Sequence, residues 1–266
     1  MTPLERQLVY PIPPVERSNW RPARFQYEDV WFQSEDGTHL HGWFFPRKNA
    51  SRVILYCHPS EEQVADAGRL ASALVRRLDA EVMVFDYRGY GKSAGKPYEA
   101  GVIADGRAAQ RWLAERTGVA IDDIVLMGRS IGGGVATALA VELGARALVL
   151  QNTFTRLTEA AALRVPWFPV AWFMRNRFPS IKRIAKYHGP VFLAHGTQDA
   201  VVPVRMGRQL IKAAPGSHKV FFPIPGGYHD DPMPPDFYED LLEFLDEVDA
   251  DAGVRSEPLA GHAQPA

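Results

Sequence analysis

The sequence predicts an α/β protein in which a mostly parallel sheet lies between two layers of helices. Short β-branched and aromatic runs alternate with segments of helical periodicity over most of the 266 residues. Two strand-like runs come first and flank Asp36-Gly37, a dipeptide typical of hairpin turns. This order favours one large domain with an antiparallel N-terminal hairpin, parallel strands after it and helices on both faces.

The hydrophobic periodicities place each element along a domain that we expect to span 28–248, after an arm over 1–27. Predicted strands cover 28–34, 39–45, 52–57, 81–87, 124–127, 147–151, 191–195 and 219–224. Predicted helices cover 65–78, 99–116, 131–143, 204–213 and 236–248. The proline-rich arm is expected to be extended over the domain surface, and the tail over 249–266 to be disordered.

Charge and cysteine content exclude several classes of protein. The chain has 30 basic and 31 acidic residues, a formal net charge of -1, and no Lys/Arg run that would follow phosphates, so we expect no nucleic-acid partner. Cys57 is the single cysteine, which excludes an intramolecular disulfide. No apolar run reaches the length of a membrane span, and residues 1–10 contain no apolar core of signal-peptide length, so we expect a soluble, cytoplasmic protein.

The segment Gly128-Arg129-Ser130-Ile131-Gly132 is the strongest chemical signal in the chain. It joins a short apolar strand directly to an Ala- and Val-rich helix. A serine at such a sharp turn has a strained backbone and an exposed hydroxyl, and its close neighbours must be small. The pattern therefore predicts a nucleophile elbow with Ser130 as the nucleophile.

Two later loops supply an acid and a base in the order that this arrangement requires. Asp199 follows the strand predicted over 191–195, and His229 lies in a glycine-rich loop after the last strand. Asp199 would hold the imidazole of His229 in the useful tautomer. The alternatives are a simple turn aspartate and a solvated loop histidine.

Backbone amides near the predicted serine could bind a developing oxyanion. The N–H of Ile131 lies at the start of the helix, where the helix dipole favours negative charge. Ser60 follows the third strand and offers the second N–H, because Pro59 has none.

No cofactor or metal is predicted. Gly91-Lys92-Ser93 lacks the glycine that a P-loop needs five positions earlier, and proline interrupts the helix that a dinucleotide fingerprint after Gly89 would require. The histidines include no group with metal-ligand spacing.

A long connection over 155–189 breaks the regular alternation of strands and helices. It is dense in large apolar side chains, among them Trp167, Trp172 and Met174. The segment is either an ordinary helix packed on the sheet or a short lid whose apolar face lines an acyl pocket. We expect these three side chains, together with Tyr90, to contact substrate. A membrane interface or a protein partner is an alternative destination for the same apolar face.

Several motifs together resemble one branch of a known superfamily. They are Phe85-Asp86-Tyr87-Arg88-Gly89-Tyr90-Gly91-Lys92-Ser93, Gly128-Arg129-Ser130-Ile131-Gly132-Gly133 and Asn152-Thr153-Phe154-Thr155. Over about 28–248 the chain is similar to the α/β-hydrolase superfamily, in the branch that contains lipid hydrolases and protein depalmitoylases. The resemblance implies the α/β-hydrolase fold and a serine hydrolase with Ser130, Asp199 and His229 as its triad.

The expected activity is hydrolysis of carboxylic esters or thioesters of a small-molecule or lipid-like acyl substrate. Two alternatives stay open at this point. The first is an aminopeptidase of the same fold, in which Glu61-Glu62 would bind a substrate amine. The second is a non-catalytic binding protein built on a hydrolase scaffold.

Overall fold

The computed structural model describes residues 3–164, 173–251 and 253, which form one mixed sheet with helices on both faces. Its strands are β1 Glu28–Gln33, β2 His39–Phe45, β3 Arg52–Cys57, β4 Ala80–Phe85, β5 Val125–Arg129, β6 Leu148–Gln151, β7 Val191–Gly196 and β8 Lys219–Ile224. The α-helices within the described ranges are α1 Pro3–Val9, α2 Val64–Arg77, α3 Glu99–Thr117, α4 Ile131–Leu143, α5 Leu157–Arg164, α6 Ser180–Ile184, α7 Val204–Ala213 and α8 Pro235–Asp251.

The order of the eight strands across the sheet is β1-β2-β4-β3-β5-β6-β7-β8. The β1–β2 and β2–β4 pairs are antiparallel, and every later pair is parallel. The predicted fold class and the antiparallel N-terminal hairpin are therefore confirmed. The carboxyl ends of β3, β5, β6 and β7 meet at one edge, which is where an open α/β sheet places its site.

Two apolar cores hold the helices against the sheet. On one face, Leu113 of α3, Leu139 of α4 and Leu210 of α7 belong to one cluster of buried side chains. On the other face, Leu74 of α2 and Leu241 of α8 belong to a second cluster. Because the central strands are covered on both faces, β3 and β4 are buried along their whole length and consist almost entirely of apolar residues.

The N-terminal arm differs from its expected extended form. Residues Pro3–Val9 form a helix, which begins at a proline because the first helical turn needs no N–H there. The carboxylate of Glu5 accepts hydrogen bonds from the backbone N–H groups of Arg175 and Asn176 at 2.7 and 2.9 Å. The arm is thus attached to the second half of the long connection over 155–189.

The chain terminus and the long connection are described only in part. Helix α8 continues to Asp251, so the tail expected from residue 249 begins inside a helix, and apart from Gly253 the remainder lies outside the described residues. Residues 165–172, and with them Trp167 and Trp172, also lie outside the described residues. No helix among the described residues combines the length and apolar character needed to cross a bilayer.

Candidate active site

Ser130 lies at the turn between β5 and α4, with its backbone in the left-handed region at φ 52°. Such a conformation is strained for a residue with a side chain and is typical of functional positions. A methyl group at Gly128 would overlap the carbonyl oxygen of Gly132, and one at Gly132 would overlap that of Cys57. The two glycines therefore permit the close approach of strand, helix and neighbouring loop at this turn.

The structure brings Ser130, His229 and Asp199 together from three separate loops. The Nδ1 atom of His229 lies 2.7 Å from Oδ2 of Asp199, and its Nε2 atom lies 3.2 Å from Oγ of Ser130. Because a carboxylate only accepts hydrogen bonds, Nδ1 carries the imidazole proton and Nε2 accepts from the serine hydroxyl. This is the arrangement in which a histidine can act as a general base toward serine.

Asp199 is held in place as an ionised carboxylate. Its Oδ1 atom accepts the backbone N–H groups of Val201 and Val202 at 2.9 and 2.8 Å. Burial alone would raise the pKa of Asp199, but hydrogen bonds from His195, His229 and the Val202 amide outweigh burial and hold this pKa well below its usual range. The acid therefore keeps its charge and its orientation near neutral pH.

The other two aspartates near His229 in sequence point elsewhere. Oδ1 of Asp230 accepts a hydrogen bond from Arg129 at 3.0 Å, and Oδ2 of Asp231 accepts the backbone N–H of Tyr228 at 2.8 Å. Among the described residues, neither of these two carboxylates forms a hydrogen bond with the His229 ring. The geometry thus gives Asp199 the position of the acid.

The loop after β3 lies beside the start of α4, as the predicted oxyanion site requires. Cys57 is the register partner of Gly128, so Ser60 follows the strand next to the one that carries the elbow. The His58 ring is fully buried, burial lowers its pKa, and its Nδ1 lies 2.7 Å from the carbonyl oxygen of Pro59. A neutral imidazole that donates to this carbonyl braces the loop that carries Ser60.

Two of the residues expected to contact substrate are packed inside the protein instead. Tyr90 is completely buried and packs edge-to-face against His58 and Tyr87, so it supports the loop after β3. Met174 is 5% exposed and belongs to the same core cluster as Phe178. Both expectations are corrected, because side chains so covered present no surface to a ligand.

Two motif residues whose individual roles the sequence did not indicate, Arg129 and Asn152, contact the loop of His229. The carbonyl oxygen of His229 accepts hydrogen bonds from the side chains of Arg129 and Asn152. Asn152 follows β6 and is fully buried. Its position in the Asn152-Thr153-Phe154-Thr155 motif was visible in the sequence, but its partners are distant in the chain.

Comparisons with known proteins agree with this architecture. Residues 60–224 match the family described as alpha/beta hydrolase fold. An uncharacterized protein of Mycobacterium tuberculosis is 37% identical over 235 residues, which are 86% of this chain and 81% of that one. The protein bem46 of Schizosaccharomyces pombe is 28% identical over 264 residues, with 92% of this chain and 87% of that protein covered.

A solved structure shares the same topology at low sequence identity. The Pyrococcus furiosus esterase Pf2001 aligns with a TM-score of 0.74 and 21% identity, over 89% of this chain and 96% of the esterase. At this identity the likeness concerns the fold alone. The family match covers more than half of the 266 residues, and the fold agrees with it. The chain belongs to the alpha/beta hydrolase fold family.

Proposed function

We propose that the protein is a serine hydrolase that cleaves carboxylic esters or thioesters through an acyl-enzyme intermediate. The proposal depends on the position of the His229 ring, whose Nε2 lies 3.2 Å from Oγ of Ser130 and whose Nδ1 lies 2.7 Å from Oδ2 of Asp199. Membership of the alpha/beta hydrolase fold family supports the same conclusion.

The first half of the reaction would transfer the acyl group to the enzyme. Oγ of Ser130 attacks the acyl carbon while Nε2 of His229 removes the hydroxyl proton. The negative charge that develops on the carbonyl oxygen is stabilised by the N–H groups of Ile131 and Ser60. The C–O or C–S bond then breaks, and the imidazolium donates its proton to the departing alcohol or thiol.

The second half would release the acid. Water donates a proton to Nε2 of His229 and attacks the acyl carbon, and the same amides stabilise the second tetrahedral intermediate. Asp199 stays ionised throughout and stabilises the imidazolium, because its low pKa opposes protonation. Breakdown of the intermediate returns the proton to Ser130 and frees a carboxylic acid.

The contacts of Glu62 argue against the aminopeptidase alternative. A carboxylate pair that binds a substrate ammonium needs a free negative charge on both members. Oε1 of Glu62 already lies 3.3 Å from Nη1 of Arg129, and burial raises the pKa of Glu62. Only Glu61 is left exposed in this pair. The aligned hydroxyl, imidazole and carboxylate likewise favour catalysis over a purely binding role.

A substrate screen tests the reaction class. We expect the purified protein to hydrolyse p-nitrophenyl esters and acyl thioesters, with little hydrolysis of aminoacyl p-nitroanilides. The rate of Ser130→Ala gives the background for each substrate. Ser51→Ala is the matched control, because Ser51 is exposed and its hydroxyl donates only to the backbone carbonyl oxygen of Asp79 among the hydrogen bonds of the described residues. Faster hydrolysis of the anilides than of the esters would replace the esterase proposal by the peptidase alternative.

We propose further that the acyl group is apolar, on the basis of the composition of the long connection. Residues 165–174 contain Trp167, Phe168, Trp172, Phe173 and Met174. The burial of Met174 removes one of these from a pocket, and Phe173 is 64% exposed. An acyl pocket formed by the others would gain about 0.8 kcal/mol per methylene, or roughly fourfold in binding per carbon.

A chain-length series tests the acyl preference. We expect kcat/KM to rise from acetyl to medium-chain p-nitrophenyl esters and then to level off, and Trp172→Ala to flatten this rise without slowing acetate-ester turnover. The matched control is Trp31→Ala, which removes a tryptophan that is 55% exposed on the edge strand β1. A rate that peaks at acetate, or a slope that Trp172→Ala leaves unchanged, would contradict the proposed apolar pocket.

A further inference from the structure

The backbone carbonyl oxygen of His229 accepts two side-chain hydrogen bonds. Nη2 of Arg129 donates to it at 2.7 Å and Nδ2 of Asn152 at 2.8 Å. A carbonyl oxygen has two lone pairs, so both are used. The donors come from the carboxyl ends of neighbouring strands, because Arg129 is the register partner of Gln151, the residue before Asn152.

The Asn152 side chain also joins the loop of the base to the loop of the acid. Its Oδ1 atom accepts the backbone N–H of Gly196 at 2.9 Å, three residues before Asp199. Asn152 is completely buried, and its φ of 44° is in the left-handed region that asparagine tolerates better than most residues. One buried amide therefore spans the two loops with both of its polar atoms in use.

Arg129 connects the same carbonyl oxygen to the turn that carries the nucleophile. It immediately precedes Ser130, and its guanidinium also bonds to Glu62 at 3.3 Å and to Asp230 at 3.0 Å. The side chain is only 12% exposed. A planar guanidinium held by three acceptors keeps one orientation, which a lysine ammonium at the same place would not.

The loop that carries His229 needs such fixation. It contains Gly226, at φ 71°, and Gly227, and residues without a Cβ leave a loop with many accessible conformations. The imidazole must nevertheless keep Nε2 within hydrogen-bonding distance of Oγ of Ser130. A displacement of about 1 Å between reacting groups can cost on the order of a hundredfold in rate.

We infer that Arg129 and Asn152 are positioning residues that hold the His229 carbonyl, and through it the imidazole, in register with Ser130 and Asp199. The inference rests on the proposed function, since it takes Ser130 as nucleophile and His229 as base. Loss of either donor should slow proton removal from Ser130 while substrate binding is kept. The expected signature is a lower kcat at unchanged KM.

Asn152→Asp removes one donor with little other change. The new carboxylate keeps an oxygen for the N–H of Gly196, tolerates the same backbone conformation, and presents an oxygen instead of an N–H to the His229 carbonyl. Gln110→Glu is the matched control. Gln110 is also fully buried, and its Nε2 donates to the carbonyl oxygens of Ile121 and Gly144 at 3.0 Å each, on helix α3.

The experiment measures fluorophosphonate inactivation and the pH profile of kcat for wild type and both variants. We expect Asn152→Asp to lower the inactivation rate constant and the upper plateau of kcat by about a hundredfold, and Gln110→Glu to leave both unchanged. A new charge that merely altered the ionisation of His229 would shift the profile along the pH axis and leave the plateau at its wild-type height. That result would overturn the inference.

A second pair of variants covers the case in which Asn152→Asp does not fold. Arg129→Lys replaces the planar guanidinium by an ammonium that cannot bond to the same three acceptors at once, and we expect a clear loss of kcat at unchanged KM. Arg146→Lys is its control, because Arg146 is 15% exposed and bonds to Asp123 at 3.0 Å. Equal kcat in the two lysine variants would contradict the positioning role.

The same measurements separate this inference from the proposed function. A wild-type protein that the probe does not label at Ser130 would overturn both. A wild type that is labelled, together with a folded Asn152→Asp variant that reacts at the wild-type rate, would overturn the positioning role alone. A loss in Gln110→Glu as large as that in Asn152→Asp would also overturn it, because any buried amide would then have the same effect.

Discussion

Replacing Asp199 by asparagine should invert the tautomer of His229. Oδ1 of Asp199 accepts two backbone N–H groups, from Val201 and Val202 at 2.9 and 2.8 Å. An asparagine must therefore turn its oxygen toward these donors and its NH₂ group toward Nδ1 of His229, which lies 2.7 Å from Oδ2 in the wild type. Nδ1 then becomes an acceptor, and the ring proton moves to Nε2.

A proton on Nε2 removes the base from the reaction. The ring would present an N–H to Oγ of Ser130, at the 3.2 Å distance over which it now accepts. By analogy with the same substitution in a serine-protease triad, kcat should fall by about four orders of magnitude. That factor corresponds to roughly 5.5 kcal/mol in the activation free energy.

The assay is hydrolysis of a p-nitrophenyl ester at saturating substrate near neutral pH, with circular dichroism as a check on folding. Asp231→Asn is the matched control, because an asparagine oxygen can still accept the N–H of Tyr228 that Asp231 now accepts. Near-normal turnover in Asp199→Asn, combined with collapse in Asp230→Asn or Asp231→Asn, would show that the acid is misassigned.

Two further predictions concern backbone groups, one in the loop after β3 and one at the start of α4. Ser60 is the second residue of a turn in which the Glu62 N–H donates to the carbonyl oxygen of Pro59 at 3.3 Å, and proline is favoured at that position of a turn. Ser60→Pro should therefore remove one N–H and lower kcat by about 10²–10³, whereas Ser60→Ala should keep kcat near the wild-type value. Equal rates in the two variants would exclude this amide from the oxyanion site. Gly132→Ala should cost about 3 kcal/mol of unfolding free energy in a denaturant titration, because its methyl group would overlap backbone oxygen. Gly106→Ala, whose methyl group would lie 3.0 Å from side-chain ends of Leu139 and Val135, should cost clearly less, and equal costs would refute the close approach at the elbow.

The sequence was sufficient for the fold because its local patterns agree with one another. Strand-length apolar runs alternate with helical periodicity, and Asp36-Gly37 specifies the hairpin that pairs β1 with β2. The elbow could be found because its steric demand is local. Gly128 is needed for the close approach of strand and helix at Gly132, and Gly132 for the contact with the Cys57 backbone.

Features that depend on distant contacts could not be predicted in the same way. The role of Asn152 depends on a positive φ and on bonds to residues 44 and 77 positions later in the chain. Tyr90 follows a strand end like a site residue, but the ring of Tyr87 in its own loop and the ring of His58 after β3 pack against it, and it is fully buried. The N-terminal helix is attached through Glu5 to residues 170 and 171 positions away, which composition alone does not reveal.

Covalent labelling shows directly whether Ser130 is the nucleophile. The protein is incubated with a fluorophosphonate probe, digested and mapped by mass spectrometry, in parallel with Ser130→Ala and with the Ser51→Ala control. We predict a single modified site, Ser130, among the ten serines of the chain, and no labelling of Ser130→Ala. Undiminished labelling of Ser130→Ala, or a wild-type protein that stays unmodified while it hydrolyses esters, would contradict the assignment of Ser130 as the nucleophile.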